Sequence, residues 1–179
     1  MIRAAARRCR DTSGMTLIEL CVVIGIIGIL FGLAVTSLKR AKLAANEGNA
    51  MGALRTITKA EFAYAVACGR GNYATSLVTL GTKQPGSVQA YLNEDLGSSN
   101  TVARDGYNVI LREGSGASTS VVDCMGNATA TTYYAAAFPI EMNKTGTRSF
   151  ATNQGAALWQ RQSGIPPAEP FGPPAEIAK

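Results

Sequence analysis

Residues 13–38 read SGMTLIELCVVIGIIGILFGLAVTSL, and this stretch decides the architecture. From Leu20 to Leu38 there are 19 consecutive residues without a charge. As a helix rising ~1.5 Å per residue, such a run matches the roughly 30 Å hydrocarbon core of a bilayer. The reading is therefore of a chain inserted in a membrane by its N-terminal part. A secretory signal peptide would have an apolar stretch of about 7–15 residues closed by a small-residue cleavage site. Here the run is longer, and Lys39, Arg40 and Lys42 follow it. A plain anchor fits the length, although four arginines before the span and three basic residues after it give no clear orientation by the positive-inside rule. Neither reading accounts for Glu19, a carboxylate set directly against the apolar run. Such a group is costly in lipid and is normally paired there, or else it sits at the interface and faces water.

Composition agrees with this division. The 179 residues contain no histidine, four cysteines and one tryptophan, with 17 basic against 12 acidic side chains. Without histidine, His-based triads, His-ligated zinc and His-ligated haem are excluded. Apolar residues make up 46% but aromatics only 7%, so the apolar mass is small and aliphatic. Of the net charge of +5, a net +3 lies before the span, in Arg3, Arg7, Arg8 and Arg10 less Asp11. The basic excess is thus mostly an N-terminal targeting feature, and nucleic acid is not expected as a primary partner.

The string Ser13-Gly14-Met15-Thr16-Leu17-Ile18-Glu19-Leu20, between a basic leader and an aliphatic run, resembles the prepilin signature of type IV pilins and of the pseudopilins of type II secretion. The resemblance implies cleavage by a membrane-embedded prepilin peptidase between Gly14 and Met15, followed by methylation of the new Met15 amine. The leader would be residues 1–14, the membrane and filament-core half of the helix residues 15–38, and the pilin-like globular domain residues 39–163. It further implies an assembly platform in the bacterial inner membrane with its ATPase, contacts with lipid before assembly, and a helical filament of copies of the chain and minor pilins. The C-terminal domain would face the periplasm, and the filament would be periplasmic or extracellular. Glu19 becomes the fifth mature residue, about one helical turn from the charged amine. In a stack of helices its carboxylate can meet the amine of a neighbour, each charge being costly unless paired, so the pair sets the axial register. The sequence departs from the family at Met15, where phenylalanine is frequent, and at Thr36, where many members have a helix-breaking proline. Gly25, Gly28 and Gly32 weaken the helix instead, and Gly28-xxx-Gly32 allows close packing.

The resemblance implies an α+β pilin fold, with one long helix packed on an antiparallel sheet. Within it, Lys39–Ala67 continues the helix with one apolar stripe through Leu43, Ala50, Leu54 and Ile57, and Glu61 and Tyr64 extend the row. Cys68-Gly69-Arg70-Gly71 supplies the stop. Residues 69–103 are punctuated by glycine, proline and serine, with a short helix expected near Ser87–Leu92. A strand-like pattern covers Tyr107–Arg112, Thr132–Phe138, Arg148–Thr152 and Ala157–Gln160, giving a sheet of three or four strands. Asn153-Gln154-Gly155 is expected as a tight hairpin turn with positive φ at glycine. Residues 164–179, with five of the seven prolines, are expected as a flexible tail.

Cys9 falls in the leader and Cys21 in the span, whereas Cys68 and Cys124 both fall beyond the membrane, where oxidation is possible. A bridge between them is the preferred reading over two free thiols. A weaker likeness of FAYAVACGRGNYATSLVTL and TGTRSFATNQGAALWQ to pilin-like proteins assigns Gly146, Arg148, Phe150 and Gly155 a structural role in a closing hairpin.

The functional expectation is a non-catalytic structural subunit of a pilus-like filament. No phosphate-binding loop is present, no cofactor is called for, and Asp123 and Glu141 read as isolated, solvated carboxylates. A major-pseudopilin-like role in type II secretion is the alternative. Many major pseudopilins hold calcium through acidic residues in a C-terminal loop, and residues 145–165 contain no Asp or Glu. No metal site is therefore expected, and the balance tips toward a pilus.

Overall fold

The computed structural model describes residues 14–178. The expected leader up to residue 13, including its arginines and Cys9, lies outside the described residues. The chain divides into two units, one ending at Arg40 and one running from Ala41. A single helix, α1 (Leu17–Ala67), contributes to both. In the first unit its described large apolar side chains are exposed, Leu17 at 81% and Phe31 at 69% among them. This stretch is the one helix among the described residues that is long and apolar enough to cross a membrane.

In the second unit α1 buries Glu47, Ala50, Leu54, Ile57, Glu61 and Tyr64, and Cys68 just beyond its end is buried in the same row. Their alternating steps of three and four residues keep one stripe facing one surface. The elements that follow are β1 (Tyr73–Ala74), α2 (Leu77–Gly81), α3 (Glu94–Gly97), β2 (Thr101–Arg104), β3 (Tyr107–Glu113), β4 (Thr129–Ala130), β5 (Tyr133–Pro139), β6 (Ser149–Asn153), β7 (Trp159–Arg161) and β8 (Glu176–Ile177). The fold is α+β, with eight strands in two sheets rather than the three or four expected. The larger sheet has the order β2-β3-β5-β6-β7-β8, with every neighbour antiparallel. β1 and β4 form a separate ribbon.

Alternation sorts the large sheet's two faces. Tyr107, Val109 and Leu111 of β3, Tyr133, Ala135 and Ala137 of β5, and Phe150 of β6 share one core with the α1 stripe. Tyr134, Ala136 and Ala151 form a second cluster with Ile110 and Phe171. Alanines on β5 leave room for aromatic neighbours on both sides.

Two local expectations are corrected. No helix forms at Ser87–Leu92. Helical turns form on either side of it instead, because Ser76 caps α2 through the Thr79 N–H at 3.2 Å and Asn93 precedes α3, while Pro85-Gly86 interrupts the chain between them. α2 and α3 touch backbone to backbone at Gly81 and Gly97, where a side chain on either would collide with the other. The second correction concerns residues 164–178, which are bound rather than free. Glu176 and Ile177 pair with Gln160 and Trp159, and Phe171 stacks on Trp159 with ring centroids 5.5 Å apart. The Tyr134 hydroxyl donates to the Pro167 carbonyl at 2.6 Å. Prolines suit this segment because it runs extended along an edge and a face, where few backbone N–H groups are needed.

Candidate functional site

At the N-terminal end of the described chain, Gly14, Met15 and Thr16 are non-helical and exposed. The helix starts where Thr16 provides a cap. Its hydroxyl accepts from the Glu19 N–H at 3.3 Å, and its carbonyl accepts from the Leu20 N–H at 3.2 Å. Thr16-x-x-Glu19 is thus the sequence of a capping box, a signal that sequence reading passed over. Glu19 therefore has a local task besides any intermolecular one, since a carboxylate in the first turn complements the positive end of the helix. A Cβ built on Gly14 meets nothing within 4 Å. Among the described residues nothing crowds a side chain at this position.

Glu47 anchors the near end of the second unit to the sheet. Its Oε1 accepts from the Thr147 N–H at 2.9 Å and from the Thr147 hydroxyl at 2.6 Å. Its Oε2 accepts from Arg148 Nε at 2.8 Å and Nη2 at 2.6 Å. Burial pushes the Glu47 carboxyl up, but the hydrogen bonds from Thr147 and Arg148 and the guanidinium charge outweigh it, holding the group below the usual carboxylate range. Arg148 also donates to Gln160 at 2.9 Å, and its carbonyl accepts from the Tyr107 hydroxyl at 2.7 Å. Gly146 lies where any side chain would strike the Tyr107 ring. Gly146, Arg148 and Phe150 thus sit in and beside β6, and their contacts are structural.

At the far end, Cys68 and Cys124 are joined by a disulfide with Cα atoms 4.9 Å apart. Beside it the Tyr64 hydroxyl donates to Asp123 at 2.8 Å. Asp123 also accepts from the Met125 N–H, the Asn127 N–H and Asn127 Nδ2, at 2.7, 2.8 and 3.0 Å. The carboxylate expected to be solvated is instead buried, serving as the hub of a turn. Burial pushes its pKa up, but the hydrogen bonds from Asn127, Tyr64 and Met125 outweigh it, leaving it below the usual value. Glu141 is exposed and pairs with Lys144 at 2.5 Å.

Glu61 differs from both of these buried carboxylates. It is fully buried, its Oε2 accepts from the Ala74 N–H at 2.8 Å, and its Oε1 has no partner. Burial pushes its pKa up to about 8, and the single bond from Ala74 offsets only part of that. At neutral pH the group is mostly a neutral acid that holds β1 against α1.

Gly14, Met15 and Glu19 therefore lie together at the start of α1, whereas Cys68 and Cys124 form a separate covalent link. Cys21 is a free, exposed cysteine. Among the described residues no three metal-ligating side chains converge. No protein-family model, curated protein or solved structure matches this chain.

Proposed function

We propose that the chain is a prepilin, processed into the structural subunit of a type IV pilus-like filament. The observation that carries this reading is the Gly14-Met15-Thr16-Leu17-Ile18-Glu19 string at the foot of one long helix whose apolar half is exposed. A prepilin peptidase hydrolyses the Gly14–Met15 bond on the cytoplasmic side and the Met15 amine is methylated. The accessible, non-helical backbone of Gly14 and Met15 supports such an attack, since a protease needs an extended substrate. The mature subunit waits in the inner membrane with its folded unit in the periplasm, until an assembly platform and its ATPase draw it into the filament. There the apolar half of α1 exchanges lipid for the helices of other copies and of minor pilins. The charged Met15 amine and the Glu19 carboxylate of a neighbour select the axial offset. No step in this role asks the chain for catalysis.

A disulfide at the far end of α1 agrees with residence in an oxidising compartment. The secretion pseudopilus is the second reading, and the lack of carboxylates over residues 145–165 weighs against its calcium-binding form. Mass spectrometry of the N-terminal peptide, from cells containing the peptidase, tests the proposal. A peptide starting at Met15 and carrying one extra methyl group is expected. An intact leader in mature filaments or membranes would overturn the reading.

A further inference from the structure

We propose that Asn143 is the acceptor of an N-linked glycan, attached to the exported unit by an oligosaccharyltransferase that takes its sugar from a polyprenyl diphosphate. The inference rests on the reading that the second unit lies outside the cytoplasm, with which the Cys68–Cys124 bridge agrees. It does not depend on the filament.

The sequence holds two Asn-x-Thr strings, Asn127-Ala128-Thr129 and Asn143-Lys144-Thr145. Both meet the minimal rule for such an acceptor, an amide nitrogen with a hydroxyl two residues on, in a surface loop. The fold separates them. Asn127 Nδ2 donates to the Asp123 carboxylate at 3.0 Å, in the turn beside the disulfide. Thr129 is buried at 1% exposure in β4, and its hydroxyl donates to the Val121 carbonyl at 2.7 Å. Both groups that a transferase must reach are already used by the chain itself.

Asn143 is placed differently. It is exposed in the loop between β5 and β6, with a φ of 64°, a left-handed conformation that asparagine tolerates better than most residues. Its N–H donates to the Gly146 carbonyl at 2.8 Å, so the turn is closed through the backbone. Among the described residues the Asn143 side-chain amide makes no hydrogen bond, and its nitrogen is free to react. The Thr145 hydroxyl accepts from the Glu141 N–H and donates to the Glu141 carbonyl, each at 3.1 Å. Those bonds lie within the loop, so a transferase can take over the hydroxyl without drawing on the core. Glu141, two residues ahead of Asn143, is also exposed and adds the acidic position that bacterial transferases of this class read beside the minimal string.

In the transfer, the Asn143 amide nitrogen attacks the anomeric carbon of the lipid-linked sugar. The C–N bond forms as the C–O bond to the diphosphate breaks. The electron pair leaves with the polyprenyl diphosphate, and the amide proton passes to a carboxylate of the transferase.

The test exports the full chain from bacterial cells that contain an N-oligosaccharyltransferase and an undecaprenyl-diphosphate-linked oligosaccharide, beside a carrier protein with a known acceptor loop. Trypsin releases residues 113–144 as one peptide containing both asparagines, and electron-transfer fragmentation places the sugar. A glycan on Asn143 is expected, with Asn127 bare. Asn143→Asp suits the left-handed turn and should lose the glycan entirely, whereas Thr145→Ser keeps the hydroxyl and should retain it. A bridged chain with Asn143 bare, while the carrier is modified, overturns the proposal. So does sugar found instead on Asn127 or on the hydroxyls of residues 115–120. A chain recovered with Cys68 and Cys124 reduced was not exported, and the reading of its compartment falls together with this one.

Discussion

At the scale of single residues, charge and capping can be separated at Glu19. Glutamine retains the hydrogen-bonding character of a residue at the third position of a helix, whereas alanine loses both that and the charge. Glu19→Gln should therefore insert and be processed like the native chain, yet assemble poorly, because the Met15 amine of a neighbour no longer meets an anion. Electron microscopy of surface filaments beside a membrane blot checks this. Abundant filaments from Glu19→Gln would leave capping as the residue's whole task. The β6–β7 turn provides a second case. Positive φ occurs at Ala156 (57°) and not at the expected Gly155, because the Asn153 side chain accepts from the Gly155 N–H at 3.0 Å while the Ala156 N–H bonds the Asn153 carbonyl at 2.8 Å. That is a β-turn followed by a left-handed residue. An L-residue there costs ~1 kcal/mol or more, so Ala156→Gly should raise the thermal midpoint by a few degrees. A lowered midpoint in a calorimetric scan would count against this account of the turn.

Among the elements, the ends of α1 are secured by different chemistry, and the pH dependence follows from the difference. Glu61 keeps its proton in the folded chain up to about pH 8, whereas a carboxyl in the unfolded chain loses it near its ordinary value of 4.5. The folded state therefore binds more protons between those values, and stability falls as pH rises from about 4.5 to about 8. Glu47 and Asp123 behave oppositely. Both are held below their usual range, so their contribution is present above the unfolded value and is lost as pH falls through the folded one. Chemical denaturation across pH should show greatest stability near pH ~5, with an alkaline decline that Glu61→Gln abolishes. A decline unchanged in that variant would assign it to other groups. The disulfide fixes the same end covalently across a separation of 56 residues, which by loop-closure entropy corresponds to about 4 kcal/mol. Cys68→Ser with Cys124→Ser should lower stability by that order in urea titrations.

These elements also mark what could be read from the chain alone. β3, β5 and β6 were legible within about a residue, β3 because it alternates and β5 and β6 because each is a short run of small, aromatic and β-branched residues bounded by turn signals. β1, β4 and β8 have two residues each, too few for any period to appear, and β8 lies among prolines that normally speak against a strand. The position of Glu61 was legible too, since it falls on the three-and-four spacing of Leu54 and Ile57; Glu47 falls on the same spacing but was not singled out. The partners of both were not legible. Arg148 lies 101 residues from Glu47, and the group that meets Glu61 is the backbone N–H of Ala74, which no side-chain pattern announces. At the start of α1 the relation was reversed. Gly14, Met15 and Glu19 are local in sequence and needed no tertiary contact to be singled out.

For the molecule as a whole, the two units place opposite demands on solvent. Every buried residue of both clusters lies at Ala50 or later, and the polar contacts of Asn46 and Glu47 go to Thr145, Thr147 and Arg148. The folded unit thus draws its core from its own residues, while the described large apolar side chains of α1 before Arg40 are exposed. Burial of each such side chain is worth roughly 1.5–3 kcal/mol, so in water that segment drives association and in lipid it is satisfied. A chain beginning at Ala41 should consequently be soluble and monomeric, melt cooperatively, and keep the Cys68–Cys124 bridge. The full chain should instead sediment with membranes and require detergent for extraction. Analytical ultracentrifugation and a thermal melt of the two forms decide the matter. A fragment from Ala41 that is unfolded at low temperature would show that the apolar segment contributes to the fold itself, whereas a cooperative melt leaves it free for lipid first and for neighbouring helices afterwards.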